Sequence, residues 1–103
     1  RWEETEALQC GDLTFSPEAK TLTGPLKSCS LSRRESDLLE LLMRNRGAAL
    51  YRDVIFERVW GELPDTESLR TVDTHIARLR KKLGWTDKQI ETVFKIGYRL
   101  RKE

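Results

Sequence analysis

A chain of 103 residues with 38% hydrophobic and 35% charged side chains has room for one domain with a modest core; no apolar run in it approaches the length of a membrane span, and with no secretory h-region nothing in it suggests export. One histidine and two cysteines, Cys10 and Cys29, without CxxC spacing argue against a metal site, and the thiols are expected to be reduced in a cytoplasmic setting. The net charge of +2 conceals a split: residues 1–69 carry nine bases against thirteen acids (−4), and residues 70–103 ten against four (+6), the pattern of a module that binds a polyanion.

The chain starts at Arg1 and its only methionine is Met43, so it is expected to be a piece of something longer, with residues 1–7 a linker stub and residues 8–103 the domain. From Leu8 to Leu31, alternation such as Leu13-Thr14-Phe15 and turn signals at Ser16-Pro17 and Gly24-Pro25 predict three or four short antiparallel strands. Ser32-Arg33-Arg34-Glu35 is a capping box. A helix follows, with Leu38, Leu39, Leu41, Leu42 and Met43 on its apolar face, and it stops at Asn45-Arg46-Gly47. A second helix runs from about Arg52 to Trp60, with Ile55, Phe56, Val59 and Trp60 as its buried stripe. Residues 61–69 read as an acidic loop holding Glu62, Asp65 and Glu67, and Ser68 is the expected N-cap of a third helix, with Asp73 near its start.

On a helical wheel Val72, Ile76, Leu79 and Leu83 fall in one narrow stripe. Arg70, Thr74, Ala77, Arg78 and Lys81 lie opposite; Asp73 and Arg80 occupy one flank, Thr71, His75 and Lys82 the other. Small side chains at the centre of a basic face let the helix backbone approach a surface while the longer cations reach beyond it. Gly84 ends the helix. Ile90 to Lys102 then reads as a hairpin turning near Ile96-Gly97, with Tyr98 and Leu100 inward and Arg99 and Arg101 outward. His75 has no arranged nucleophile or carboxylate, so it is read as structural or phosphate-bonding, and the chain as no enzyme.

The words LSRRESDLLELLMRNRG, Val59-Trp60-Gly61, RTVDTHIARLRKKLG and TVFKIGYRL resemble the output domains of bacterial two-component response regulators of the OmpR/PhoB class, over Leu8 to Arg101. The resemblance implies an α+β fold: a winged helix-turn-helix with an N-terminal four-stranded antiparallel sheet, three helices and a C-terminal β-hairpin wing. It implies sequence-specific binding of double-stranded DNA, with the third helix in the major groove and the wing at the adjacent minor groove. By position Arg70, Thr74, His75, Arg78, Arg80 and Lys81 match DNA-contacting residues, Thr92 matches a wing residue that binds phosphate, and Lys95 and Arg99 complete the set on the hairpin. No cofactor is implied. The partners implied are a phosphorelay receiver domain N-terminal to this one, RNA polymerase at residues 61–69, and a second copy on DNA.

Two positions depart from the family pattern. Phe94-Lys95 stands where Arg-Gly is usual, and Ala77 where several members carry a base. Phe94 either packs beneath the wing or wedges against a sugar edge, and packing is the favoured reading. On either view the wing lacks its usual minor-groove arginine. The competing reading of the whole chain is a winged-helix protein-interaction module that uses the same basic surface for an acidic protein.

Overall fold

The computed structural model describes residues 8–10, 13–24, 28–84 and 89–101. The expected linker stub, residues 1–7, lies outside them. Four short strands, β1 (Leu8–Cys10), β2 (Leu13–Ser16), β3 (Thr21–Thr23) and β4 (Ser28–Ser30), form an antiparallel meander in chain order. Its register lines up Leu8, Phe15, Leu22 and Cys29 across the four strands. Phe15 and Leu22 are buried, Leu8 and Cys29 pack partly buried against the same core, and Cys29 is a free thiol. Side chains alternate across a pleated sheet, so this one row fixes which face meets the helices.

Helix α1 (Arg33–Arg44) begins as the capping box requires: Glu35 N–H donates to Ser32 Oγ at 3.2 Å, and Ser32 N–H donates to Glu35 Oε1 at 2.9 Å. Leu38, Leu39, Leu42 and Met43 are buried, while Leu41 is half-exposed. Helix α2 (Arg52–Trp60) buries Ile55, Phe56 and Val59 and ends at Gly61 in the left-handed conformation. Helix α3 (Thr66–Leu83) packs against α1 and α2 and buries Val72, Ile76, Leu79 and Leu83, the stripe read from the wheel. Its start differs from expectation. Asp65, not Ser68, is the N-cap: its carboxylate accepts from the Ser68 backbone N–H and hydroxyl, each at 2.9 Å. The Ser68 backbone bond holds the Asp65 carboxyl below its ordinary value. The loop therefore spans 61–65, residues 66–69 are helix, and Asp73 sits at the beginning of the third turn rather than at the start.

The C-terminal hairpin is β6 (Ile90–Val93) and β7 (Gly97–Leu100), turning at residues 94–96. A strand that the sequence did not reveal joins it: β5 (Leu50–Tyr51) pairs with β7, making a sheet of order β5-β7-β6. Gly97 is required by that pairing, because a Cβ there would lie 2.1 Å from the Leu50 carbonyl oxygen. Gly47 N–H donates to Leu100 O at 2.8 Å and ties the end of α1 to β7. Among the described residues no helix is long and apolar enough to cross a membrane.

Candidate nucleic-acid interface

With its apolar stripe against α1 and α2, α3 must turn the opposite face outward. Arg70, Thr74, Ala77, Arg78 and Lys81 are all exposed. Among the described residues, Arg70, Arg78 and Lys81 make no hydrogen bond or ion pair, so their charges are uncommitted. Arg80, Lys81 and Lys82 lie in the last turn, where the helix dipole favours cations.

The flanks of α3 are built differently, since Thr71, Asp73, His75, Arg80 and Lys82 each make at least one hydrogen bond within the protein. On one side Lys82 Nζ donates to Glu35 Oε1 at 2.7 Å, pinning the end of α3 to the start of α1. His75 Nδ1 donates to the Thr71 carbonyl at 2.9 Å, and its ring meets Trp60 edge-on at 5.0 Å. Trp60 is stacked on Phe56 and covered by the Arg34 guanidinium, and Arg34 also donates to Val59 O at 2.6 Å. His75 is thus half-buried in an aromatic corner rather than aimed straight outward.

On the other side the hairpin is fastened to α3. Arg80 donates to Ile90 O and to Thr92 Oγ1, and its guanidinium lies over the Tyr98 ring. Tyr98 is buried, and its hydroxyl donates to Asp73 Oδ1 at 2.5 Å; the other Asp73 oxygen accepts from Arg52 Nη1 at 2.8 Å. Burial, reinforced by the Asp73 hydrogen bond and charge, pushes the Tyr98 hydroxyl up to about 12. Asp73 therefore joins α3, α2 and β7 at one carboxylate. A cleft of about 260 Å³ opens beside it, lined by Arg52, Thr92, Phe94 and Lys95 among others.

The hairpin tip corrects one expectation. Phe94 does not pack beneath the wing; it is 83% exposed, with the Lys95 ammonium 5.5 Å from its ring centre. The turn is closed by Ile96 N–H to Val93 O at 3.0 Å and leaves Phe94 and Lys95 at its two corners. Lys95 takes φ 65°, the left-handed value that suits glycine at the third position of such a turn. Ile90, Tyr98 and Leu100 supply the buried side chains of the hairpin, and Phe94 is not among them.

Residues 27–100 match the family described as "Transcriptional regulatory protein, C terminal". The chain belongs to this family. It is 42% identical over 99 residues to the transcriptional regulatory protein TrcR of Mycobacterium tuberculosis, covering 93% of the chain and 37% of the relative. It is 38% identical over 90 residues to the regulatory protein VanRB of Enterococcus faecalis, covering 87% and 40% respectively. The chain therefore spans about two fifths of the length of the curated relatives it matches. Its fold superposes on the Klebsiella pneumoniae RstA DNA-binding domain, solved in complex with the RstA box, with a TM-score of 0.84 and 29% identity over 93% of this chain and 97% of that one. The DNA-binding domain of Escherichia coli CadC is similar at a TM-score of 0.81 and 27% identity, covering 97% and 96%. The architecture is the winged helix of OmpR/PhoB-class DNA-binding domains.

In this transcriptional-regulator domain the nine residues expected at the interface divide into two sets. Arg70, Thr74, Arg78 and Lys81 share the open face of α3, and Lys95 stands exposed at the hairpin tip. Arg80, Thr92, His75 and Arg99 are engaged within the protein; Arg99 Nε is 2.6 Å from Glu91 Oε1 on the neighbouring strand. Sequence reasoning missed Arg52 and the roles of Asp73 and Tyr98 in fastening the wing. An aspartate on the flank of a basic helix was the available signal, but its partners lie on other elements.

Proposed function

We propose that this domain binds double-stranded DNA with sequence specificity as the output module of a transcriptional response regulator, α3 in the major groove and the β6–β7 hairpin at the adjacent minor groove. The observation that carries the reading is the open face of α3: three uncommitted cations, Arg70, Arg78 and Lys81, around the small Thr74 and Ala77. A major groove about 12 Å wide admits a helix, and small central residues let it sit deep. Phosphate contacts fix register while base edges set sequence. Arg78, with its planar fork, suits the O6 and N7 of guanine; Lys81, a compact charge, suits phosphate. Ala77 offers a methyl for a thymine methyl. Arg80 acts chiefly by holding the hairpin against α3.

Relatives named as response regulators support a receiver domain preceding this one; phosphorelay control, a cytoplasmic location, a second copy on the DNA and contact of residues 61–69 with RNA polymerase are proposed on the family resemblance alone. That segment exposes Leu63 between Glu62 and Asp65. The test of DNA binding is fluorescence anisotropy on duplexes selected from a random pool, repeated across salt. Neutralising about four to six phosphates gives a slope of log affinity on log salt of roughly −4 to −5. A slope near zero, or equal affinity for every duplex, overturns the proposal.

A further inference from the structure

We propose that Phe94 is a specificity-determining residue that inserts its ring against the DNA at the wing, selecting sites whose flanks carry easily unstacked base steps. The inference rests on the DNA-binding reading above and deepens it.

Four observations converge on Phe94. The ring is 83% exposed, the most exposed of the large apolar side chains among the described residues. It is not needed by the fold, because its ring contact is with the flexible Lys95 ammonium. The turn around it violates local preference: Phe and Lys occupy the corners, with Lys95 at φ 65°, where Gly, Asn or Asp relieves the backbone. Departures of this kind from local rules concentrate at functional positions. Finally, the tip is held in place. Arg80 binds the first strand of the hairpin at Ile90 and Thr92, and Tyr98 binds the α3 residue Asp73 from the second. The ring therefore projects from a rigid mount beside α3.

The chemistry of the tip suits DNA rather than water. An apolar ring gains by lying on deoxyribose or in the gap at a base step, and the ammonium above it is then near the phosphate that flanks the step. Apolar wedges in minor grooves unstack a step, and pyrimidine–purine steps such as TpA and CpA open most easily. An A-tract, stiff and narrow, suits a guanidinium and resists a ring. The wing should thus favour TpA- or CpA-containing flanks over A-tracts.

The experiment compares the parent chain with Phe94→Ala, Phe94→Leu and Phe94→Arg on one selected core site. The base steps flanking that site are varied between A-tract and TpA. The parent should prefer the TpA flank by about 10-fold, a change of about 1.4 kcal/mol. Phe94→Ala should lose that preference and about 10-fold in affinity, with its melting temperature and salt slope unchanged because no charge is removed. Phe94→Leu should keep part of the preference, and Phe94→Arg should reverse it toward the A-tract. A 2-aminopurine placed at the flanking step should brighten on binding the parent and stay dark with Phe94→Ala. Parent-like affinity and flank preference in Phe94→Ala would overturn this proposal alone. A parent that binds no duplex in a salt-dependent way would overturn the DNA-binding reading as well.

Discussion

Replacing Tyr98 by phenylalanine removes one hydroxyl and leaves the ring under Arg80. That hydroxyl donates 2.5 Å to a carboxylate, Asp73, which is 40% exposed and also paired with Arg52. A hydrogen bond to a charged group contributes about 1.5–3 kcal/mol when buried. Water and Arg52 both remain available to Asp73, so the loss should fall near the low end, about 1–1.5 kcal/mol. For a domain of this size that lowers the melting temperature by roughly 5–10 °C. The pH dependence is the sharper test. The folded phenol keeps its proton up to about 12, against 10.0 for an ordinary tyrosine. Between these values the unfolded chain has lost the proton and the folded chain has not. The stabilisation is therefore complete below pH 10 and is lost as pH rises from 10 toward 12. Two pH units correspond to about 2.7 kcal/mol at most, and partial solvation of the Asp73 side reduces this to about 1–2 kcal/mol. Urea unfolding of the parent and Tyr98→Phe from pH 7 to 12 measures the difference, in which the titration of lysines cancels. A stability difference that stays constant to pH 12 would refute the assignment of this hydroxyl, as would a variant as stable as the parent at pH 7.

Arg78→Ala should weaken DNA binding by about 1–3 kcal/mol and relax one base position, whereas Lys81→Ala should weaken all duplexes alike; competition binding against single-base variants separates them, and neither should lower the melting temperature. Gly97→Ala should destabilise the domain by about 1–3 kcal/mol or more, since its Cβ would collide with the Leu50 carbonyl and break β5 from β7; hydrogen exchange at Leu50 and Tyr98 should report the loss. Glu35→Gln should cost about 1–2 kcal/mol at pH 7 by weakening the Lys82 pair. Although burial alone would raise the Glu35 carboxyl, the Lys82 and Ser32 bonds leave it below its ordinary 4.5, so its contribution is present above that value and disappears as pH falls below it; denaturant melts at pH 7 and pH 3 should show the variant's deficit shrinking in acid.

Features governed by short-range rules were legible in the chain. The Ser32–Glu35 box needs only three residues of context, and the Val72-Ile76-Leu79-Leu83 stripe needs only the helical period, so both the buried and the open faces of α3 followed from the sequence. The row Leu8, Phe15, Leu22, Cys29 recurs every seven residues, one strand and one turn each, but only pairing reveals it as a row. The two-residue strand β5 has no periodicity to detect; it is a strand because Tyr98, 48 positions away, bonds to it. Asp65 and Ser68 are both good cap residues, and backbone geometry chose the earlier one. The open cations of the site were readable for the same reason as the stripe. The engagement of Arg80 with Thr92, and the outward projection of Phe94, were not. They depend on the angle at which the hairpin meets α3, which is decided by Asp73, Tyr98 and Arg52 on three separate elements.

The carboxylate of Asp73 has a consequence for association kinetics. Because it joins the recognition helix, the first residue of α2 and the central strand of the wing, the distance between the two DNA-reading parts is set when the protein folds. Encounter with a duplex then requires no ordering step within the protein, and the orientational entropy of helix against wing is lost before binding rather than during it. Such a clamp of fixed gauge adapts to a mismatched site only by distorting the duplex, so discrimination between sites should appear mainly in how long each complex lasts.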